Sequence, residues 1–237
     1  MTGGPEPVPL IPLPDWLAEA APSGATPPAA GPREHLGVQI VGDGVDPKAL
    51  AACEVFITQL IGNNPAAQEA LKKANVAIVI IPHDKKMTDL PQFAALKGTN
   101  TFDGRLWDNV RGSGGMTAPD GTFALAVGEE NLITGTGTPD SYPAGYSVGM
   151  HEFAHTLHDK GLTADQKTKI DDLFAARTAA GGPWTEAYGS SNEHEYFAQA
   201  TNAFFGTNQG IGQNGRAWLE TNDPAMCAFL DGLYAKK

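Results

Sequence analysis

Cysteine is nearly absent from this 237-residue chain: Cys53 and Cys227 are the only two. A single pair cannot build a disulfide scaffold or a Cys-rich zinc site. Basic residues are also few, with 16 Lys and Arg against 27 Asp and Glu and a net charge of −11. Nucleic-acid binding needs a concentrated basic patch, and docking on an anionic membrane needs the same, so neither partner is expected. No apolar run approaches the roughly 20 residues of a membrane span. The opening MTGGPEPVPL has neither a basic n-region nor a continuous apolar h-region, so no ordinary signal peptide is expected there. What remains is 41% hydrophobic and 18% charged residues, enough to bury the core of one good-sized domain.

Proline is distributed unevenly. Nine of the 18 prolines fall within residues 1–34. Proline lacks a backbone donor and fixes φ, so this stretch reads as an extended, largely disordered leader, with PDWLAEAA as a short helical piece inside it. Globular signals start near residue 35 and define a domain over 35–237. LGVQIVG reads as a strand. Asp46-Pro47 then supplies an N-cap and a first-turn proline. Ala49, Leu50, Cys53, Phe56, Ile57, Leu60 and Ile61 follow at helical spacing. A helix around 65–74, the strand VAIVII, a Gly/Asp/Asn/Pro-rich loop region over 83–121 and the strand TFALAV come next. Helices are expected over about 144–160, 164–179, 191–205 and 224–235. A strand-bearing first half and a helical second half predict an α+β fold. Both cysteines sit on helical segments and read as free buried thiols, with a bridge between them open to an exported protein.

Chemistry concentrates in SVGMHEFAHTLHDKG, residues 147–161. Residues four apart on a helix lie about 6 Å apart on one face. His151 and His155 therefore converge on one point, and Glu152 lies part of a turn round, within reach of a water held there. Two His ligands and a Glu general base are the arrangement of zincin metallopeptidases. Composition alone would produce on the order of 0.01 such motifs. Tyr146, Met150, Phe153, Ala154 and Leu157 are expected on the opposite, anchoring face. His158 lies too far along the helix for a third ligand and is assigned to support or packing.

The third ligand must come from downstream, where Glu186, Glu193, His194, Glu195 and Glu220 are candidates. The segment SNEHEYFAQATNAFF reads as a buried helix, with Ser190 and Glu193 forming a capping box. Its single polar stripe is Glu195, Gln199 and Asn202. A buried stripe needs partners, so periodicity favours Glu195 over Glu193. Residues 111–128, with Gly112, Gly114 and Gly115, are the candidate sheet edge against which an extended substrate would lie.

HEFAH followed by YGSSNEHEYFAQA resembles the catalytic domain of the anthrax lethal factor family and is similar to the bacterial Pro-Pro endopeptidases. The likeness rests on residues 147–205. It implies a zincin-like metalloprotease domain with a small sheet, an active-site helix and a helical C-terminal half. It also implies one Zn²⁺ per chain on His151, His155 and Glu195, with Glu152 as base and Tyr188 on the reacting carbonyl oxygen. Lethal factor has Glu where this chain has Gln199, at a position that supports a zinc-bound histidine. The expected partner is a peptide or protein substrate, tolerant of proline near the cut, and an exported effector is one role the resemblance suggests. The proline-rich leader would itself fit such a cleft. Two rivals stay open: a zinc-binding interaction module without protease activity, and a zinc hydrolase of a non-peptide bond.

Overall fold

The computed structural model describes residues 32–101, 104–133, 142, 145–209, 212 and 215–234. The proline-rich segment up to residue 31, PDWLAEAA included, lies outside the described residues. In chain order the elements are β1 (Arg33–His35), β2 (Val38–Val41), α1 (Pro47–Ile61), α2 (Pro65–Lys73), β3 (Val76–Ile81), β4 (Gly112–Thr117) and β5 (Phe123–Gly128). They are followed by α3 (Val148–Thr156), α4 (Ala164–Ala180), α5 (Glu193–Phe205), α6 (Arg216–Asn222) and α7 (Pro224–Tyr234). β1 begins two residues inside the segment read as leader.

The sheet runs β1-β2-β3-β5-β4. β2, β3 and β5 are mutually parallel, and β1 and β4 close the two edges antiparallel. Parallel strands buried on both faces need apolar residues at every position, which is why VAIVII and FALAVG are buried throughout. Ile78 and Ile80 face the main core, with α1, α3, α5 and α7. Val79 and Ile81 face a second core made by Met87, Leu90, Phe93 and Val110. The described residues of the loop region over 83–121 thus pack on the second sheet face, around Val79, Ile81, Ala124 and Ala126. They do so with three short 3₁₀ turns and contribute β4 to the edge.

α1 forms as its sequence predicts: Asp46 accepts a hydrogen bond from Lys48 N at 2.8 Å, and Pro47 occupies the first turn. Cys53 and Cys227 are both buried and both free, so the bridge left open for an exported protein is not formed. The helix expected over 144–160 is shorter. α3 starts only at Val148, and its end passes into a π turn, Leu157–Gly161, closed by Leu162 N donating to Leu157 O at 2.9 Å. The Ser190–Glu193 capping box is not formed either. Asn192 caps α5 by accepting from Glu195 N at 2.9 Å, because the Ala187–Ser190 segment is already a separate 3₁₀ turn.

Candidate metal centre

Two helices build the centre. Ser147 caps α3, its Oγ accepting from Met150 N–H at 3.2 Å. That start sets the register. Met150, Phe153, Ala154 and Leu157 enter the main core, and His151, Glu152 and His155 line a cleft of about 650 Å³. Tyr146 departs from the expected anchoring face. The helix has not begun at that residue, so the ring turns into the cleft, stacks on Tyr142 at 5.3 Å and lies 6.2 Å from the His151 ring.

α5 crosses α3 and presents its polar stripe to it. Glu195 Oε2 lies 3.2 Å from His151 Nε2 and 3.4 Å from His155 Nε2. The two Nε2 atoms are 3.0 Å apart. Asn202 donates to Ser147 O at 3.2 Å, one turn before the histidines. Gln199 makes a long contact, 3.5 Å, from its amide nitrogen to the Tyr146 hydroxyl. Its carbonyl oxygen and His151 Nδ1 are both buried without a hydrogen-bond partner. Where the resemblance implies a histidine support, Gln199 therefore bonds a tyrosine.

Ligands about 2.0–2.1 Å from a tetrahedral Zn²⁺ stand about 3.3–3.4 Å from one another. The observed triangle of 3.0, 3.2 and 3.4 Å has that size. Two imidazole nitrogens and a carboxylate oxygen are also a donor set suited to zinc. The side chains fit the ion. Electrostatics agree: burial pushes the Glu195 carboxyl up, yet the two imidazoles outweigh it and hold it at about 2. Burial alone would depress His155, but Glu195 and the nearby Glu152 charge raise it. Burial pushes Glu152 above the usual carboxylate range, the direction that suits a proton acceptor near neutral pH.

The cleft has a floor of glycine. A Cβ at Gly112 would meet Val148 Cγ1 at 2.4 Å, and one at Gly114 would stand 3.6 Å from Glu152 Oε2. The tight approach to α3 is therefore at Gly112, whereas 3.6 Å at Gly114 is an ordinary van der Waals contact. Since β4 is the last strand of the sheet order, its outer edge faces the cleft. Tyr188, 47% exposed, lines the same cleft from the 3₁₀ turn, where Glu186 accepts from Tyr188 N at 2.9 Å and Gly189 N at 3.1 Å.

Of the candidate third ligands, only Glu195 joins the two histidines. Glu193 turns outward, 3.6 Å from His194, and Glu220 pairs with Arg216 on α6. His158 belongs to a different group, with Asp159 and His194. Sequence reasoning missed Tyr142, Tyr146 and Arg105 in the cleft wall. For Tyr146 the signal was available, since the Ser147 cap places the preceding residue outside the helix.

The family model described as anthrax toxin lethal factor, N- and C-terminal domain, matches residues 63–233. The chain belongs to this family. The matched span includes α3, the Tyr188 turn and α5. No curated protein matches the sequence. Among solved structures the chain is similar to the Pro-Pro endopeptidase PPEP-2 from Paenibacillus alvei. The TM-score is 0.56 at 20% identity, over 82% of this chain and 97% of that one. The shared architecture is the zincin-like α+β fold. PPEP-2, as its name states, is an endopeptidase for Pro-Pro sequences.

Proposed function

We propose that this chain is a zinc-dependent endopeptidase whose metal ligands are His151, His155 and Glu195. The observation that carries the reading is the triangle of Nε2, Nε2 and Oε2 atoms, of zinc-site size, beside Glu152 and a glycine-lined edge strand. Membership of the lethal factor family and the likeness to an endopeptidase fold support it. In this reading the catalytic unit is the domain over 35–237.

Zinc held by these three residues supplies Lewis acidity and makes a water nucleophilic at neutral pH. The protein's own groups do the rest. The β4 edge pairs with the extended backbone of the peptide and fixes the scissile carbonyl in the cleft. Glu152 accepts a proton from the attacking water as the C–O bond forms. It then passes that proton to the amide nitrogen as the C–N bond breaks. The Tyr188 hydroxyl donates a hydrogen bond to the carbonyl oxygen as negative charge develops there. Tyr146 and Tyr142 wall the cleft on the side of His151.

Proline tolerance belongs to the same proposal. A proline near the cut is already restricted to extended φ, so less entropy is lost on binding along the edge. A proline has no donor to offer, so it must lie where no main-chain bond from the peptide to β4 is required. The test is digestion of a peptide library by zinc-loaded protein, before and after chelation and after zinc is restored. Cleavage that disappears with chelation, returns with zinc and favours Pro-containing peptides supports the reading. Zinc binding without any cleavage would favour an interaction module, and cleavage unaffected by chelation would reject the metal mechanism.

A further inference from the structure

A second constellation of metal-ligating side chains stands next to the first. His158, Asp159 and His194 each offer one ligand atom, and these atoms lie within 4.8 Å of one another. Asp159 Oδ1 is 3.9 Å from His158 Nδ1 and 3.7 Å from His194 Nδ1. The two imidazole rings meet edge to face, with centroids 4.1 Å apart. None of the three has a part in the chemistry proposed above.

His158 is the informative member. It is 4% exposed, and neither of its ring nitrogens has a hydrogen-bond partner. A buried imidazole normally has at least one nitrogen satisfied. This one faces a carboxylate oxygen at 3.9 Å, too far for a hydrogen bond, and a second imidazole, with all three ligand atoms at separations that a shared cation can bridge. Backbone geometry contributes. His158 and Asp159 fall in the π turn that ends the α3 segment, a rare conformation that recurs at functional sites. The turn sets both beside the first turn of α5, which supplies His194. Asp159 and His194 also line the cleft, and their side chains are 39% and 40% exposed. An ion therefore has an open path to them, and both retain freedom to close the last few tenths of an ångström.

We propose that His158, Asp159 and His194 form a second binding site for a first-row divalent transition cation, separate from the His151–His155–Glu195 centre. Two imidazoles and one carboxylate suit Zn²⁺, Co²⁺ or Ni²⁺ rather than Ca²⁺ or Mg²⁺, which prefer all-oxygen sites. The bound ion ties the π turn to the start of α5 and so braces the two elements that carry the first centre. His155 is the neighbour across the boundary, its ring 6.4 Å from that of His194.

The experiment is Zn²⁺ titration of metal-free full-length protein by calorimetry, with bound metal counted after dialysis. Co²⁺ absorption serves as a second readout. Two equivalents are expected in the wild type. Asp159→Asn and His194→Ala, both at half-exposed positions, should each weaken one equivalent by about tenfold or more and leave the other unchanged. Glu195→Ala should show the complementary pattern. One equivalent in the wild type, removed by Glu195→Ala but not by His194→Ala, would overturn the second site and leave the first intact. One equivalent removed by His194→Ala alone would instead support this site and reject the first. Two equivalents that are both insensitive to Asp159→Asn and His194→Ala would overturn it as well.

Discussion

Glu193 and Glu195 stand two residues apart on α5, and helical rotation gives them opposite fates. Glu195 turns inward to the histidine pair, whereas Glu193 reaches only His194 near the surface. Glu195→Ala should therefore strip zinc from the first centre, as read by metal analysis after dialysis, and Glu193→Ala should retain it. The opposite pattern would reassign the ligand. Tyr188 separates by kinetics. Tyr188→Phe keeps the ring and removes the hydroxyl, so kcat should fall with little change in KM. An oxyanion donor typically contributes about 3 kcal/mol, a loss of roughly a hundredfold. An unchanged kcat would reduce Tyr188 to a wall of the cleft. The meeting of His151 and His155 was legible because helix geometry converts the His-x-x-x-His spacing directly into convergence. Glu195 was legible because a buried helix tolerates a polar stripe only where partners wait, and Ser147 and the histidines are those partners. Tyr146 was misread for one reason: starting the helix near residue 144, ahead of its Ser147 cap, carried its ring to the wrong side.

At the scale of elements, the decisive contact is α3 against β4. Gly112 is in contact with α3, and adding a single methyl there would put a carbon 2.4 Å from Val148 Cγ1. Gly112→Ala should push the strand and helix apart and cost about 1–3 kcal/mol, the usual penalty of overpacking. A thermal melt combined with kcat/KM measures this, and Ser113→Ala on the same strand is the control. An equal response from both variants would show that β4 does not set the position of α3. β4 itself was hard to see in the sequence. GSGGMT has no alternating apolar pattern, since Gly112 passes close to the Val148 side chain and Gly115 to the Phe123 ring, and the rich glycine content reads locally as loop. The π turn was equally hidden. Nothing in LHDKG breaks helical periodicity, and the wider turn becomes evident only from Leu162 N bonding Leu157 O. α6 was missed because seven residues are too few to display a face.

Across the whole molecule, the sheet separates two cores, and the helices that carry the candidate metal centre pack in the larger one. The strands and helices facing it were readable from apolar spacing, as α1 and β3 illustrate. The second core was not, because it is assembled from isolated residues such as Met87, Phe93 and Val110 on turns without periodicity. The C-terminal helices are tied to α5 by buried polar contacts: Tyr196 Oη donates to Asp223 Oδ2 at 2.6 Å, and Thr201 meets Tyr234 at 3.0 Å. Since the first centre joins α3 to α5, zinc should also stabilise the fold. A ligand present at a hundred times its Kd stabilises by about 2.7 kcal/mol. Chelation should accordingly lower Tm by roughly 5–10 °C for a chain of this size. An unshifted melt would indicate that the two helices are held without the ion.

The central claim is that Glu152 moves the proton in a zinc-dependent peptide hydrolysis. The most direct measurement compares kcat for wild type and Glu152→Gln on the same peptide, after both have been shown to hold equal zinc. The substitution is nearly isosteric and removes only the base. A fall of at least the ~10²–10⁴ associated with general-base catalysis is predicted. Equal turnover by the two zinc-loaded proteins would contradict the account.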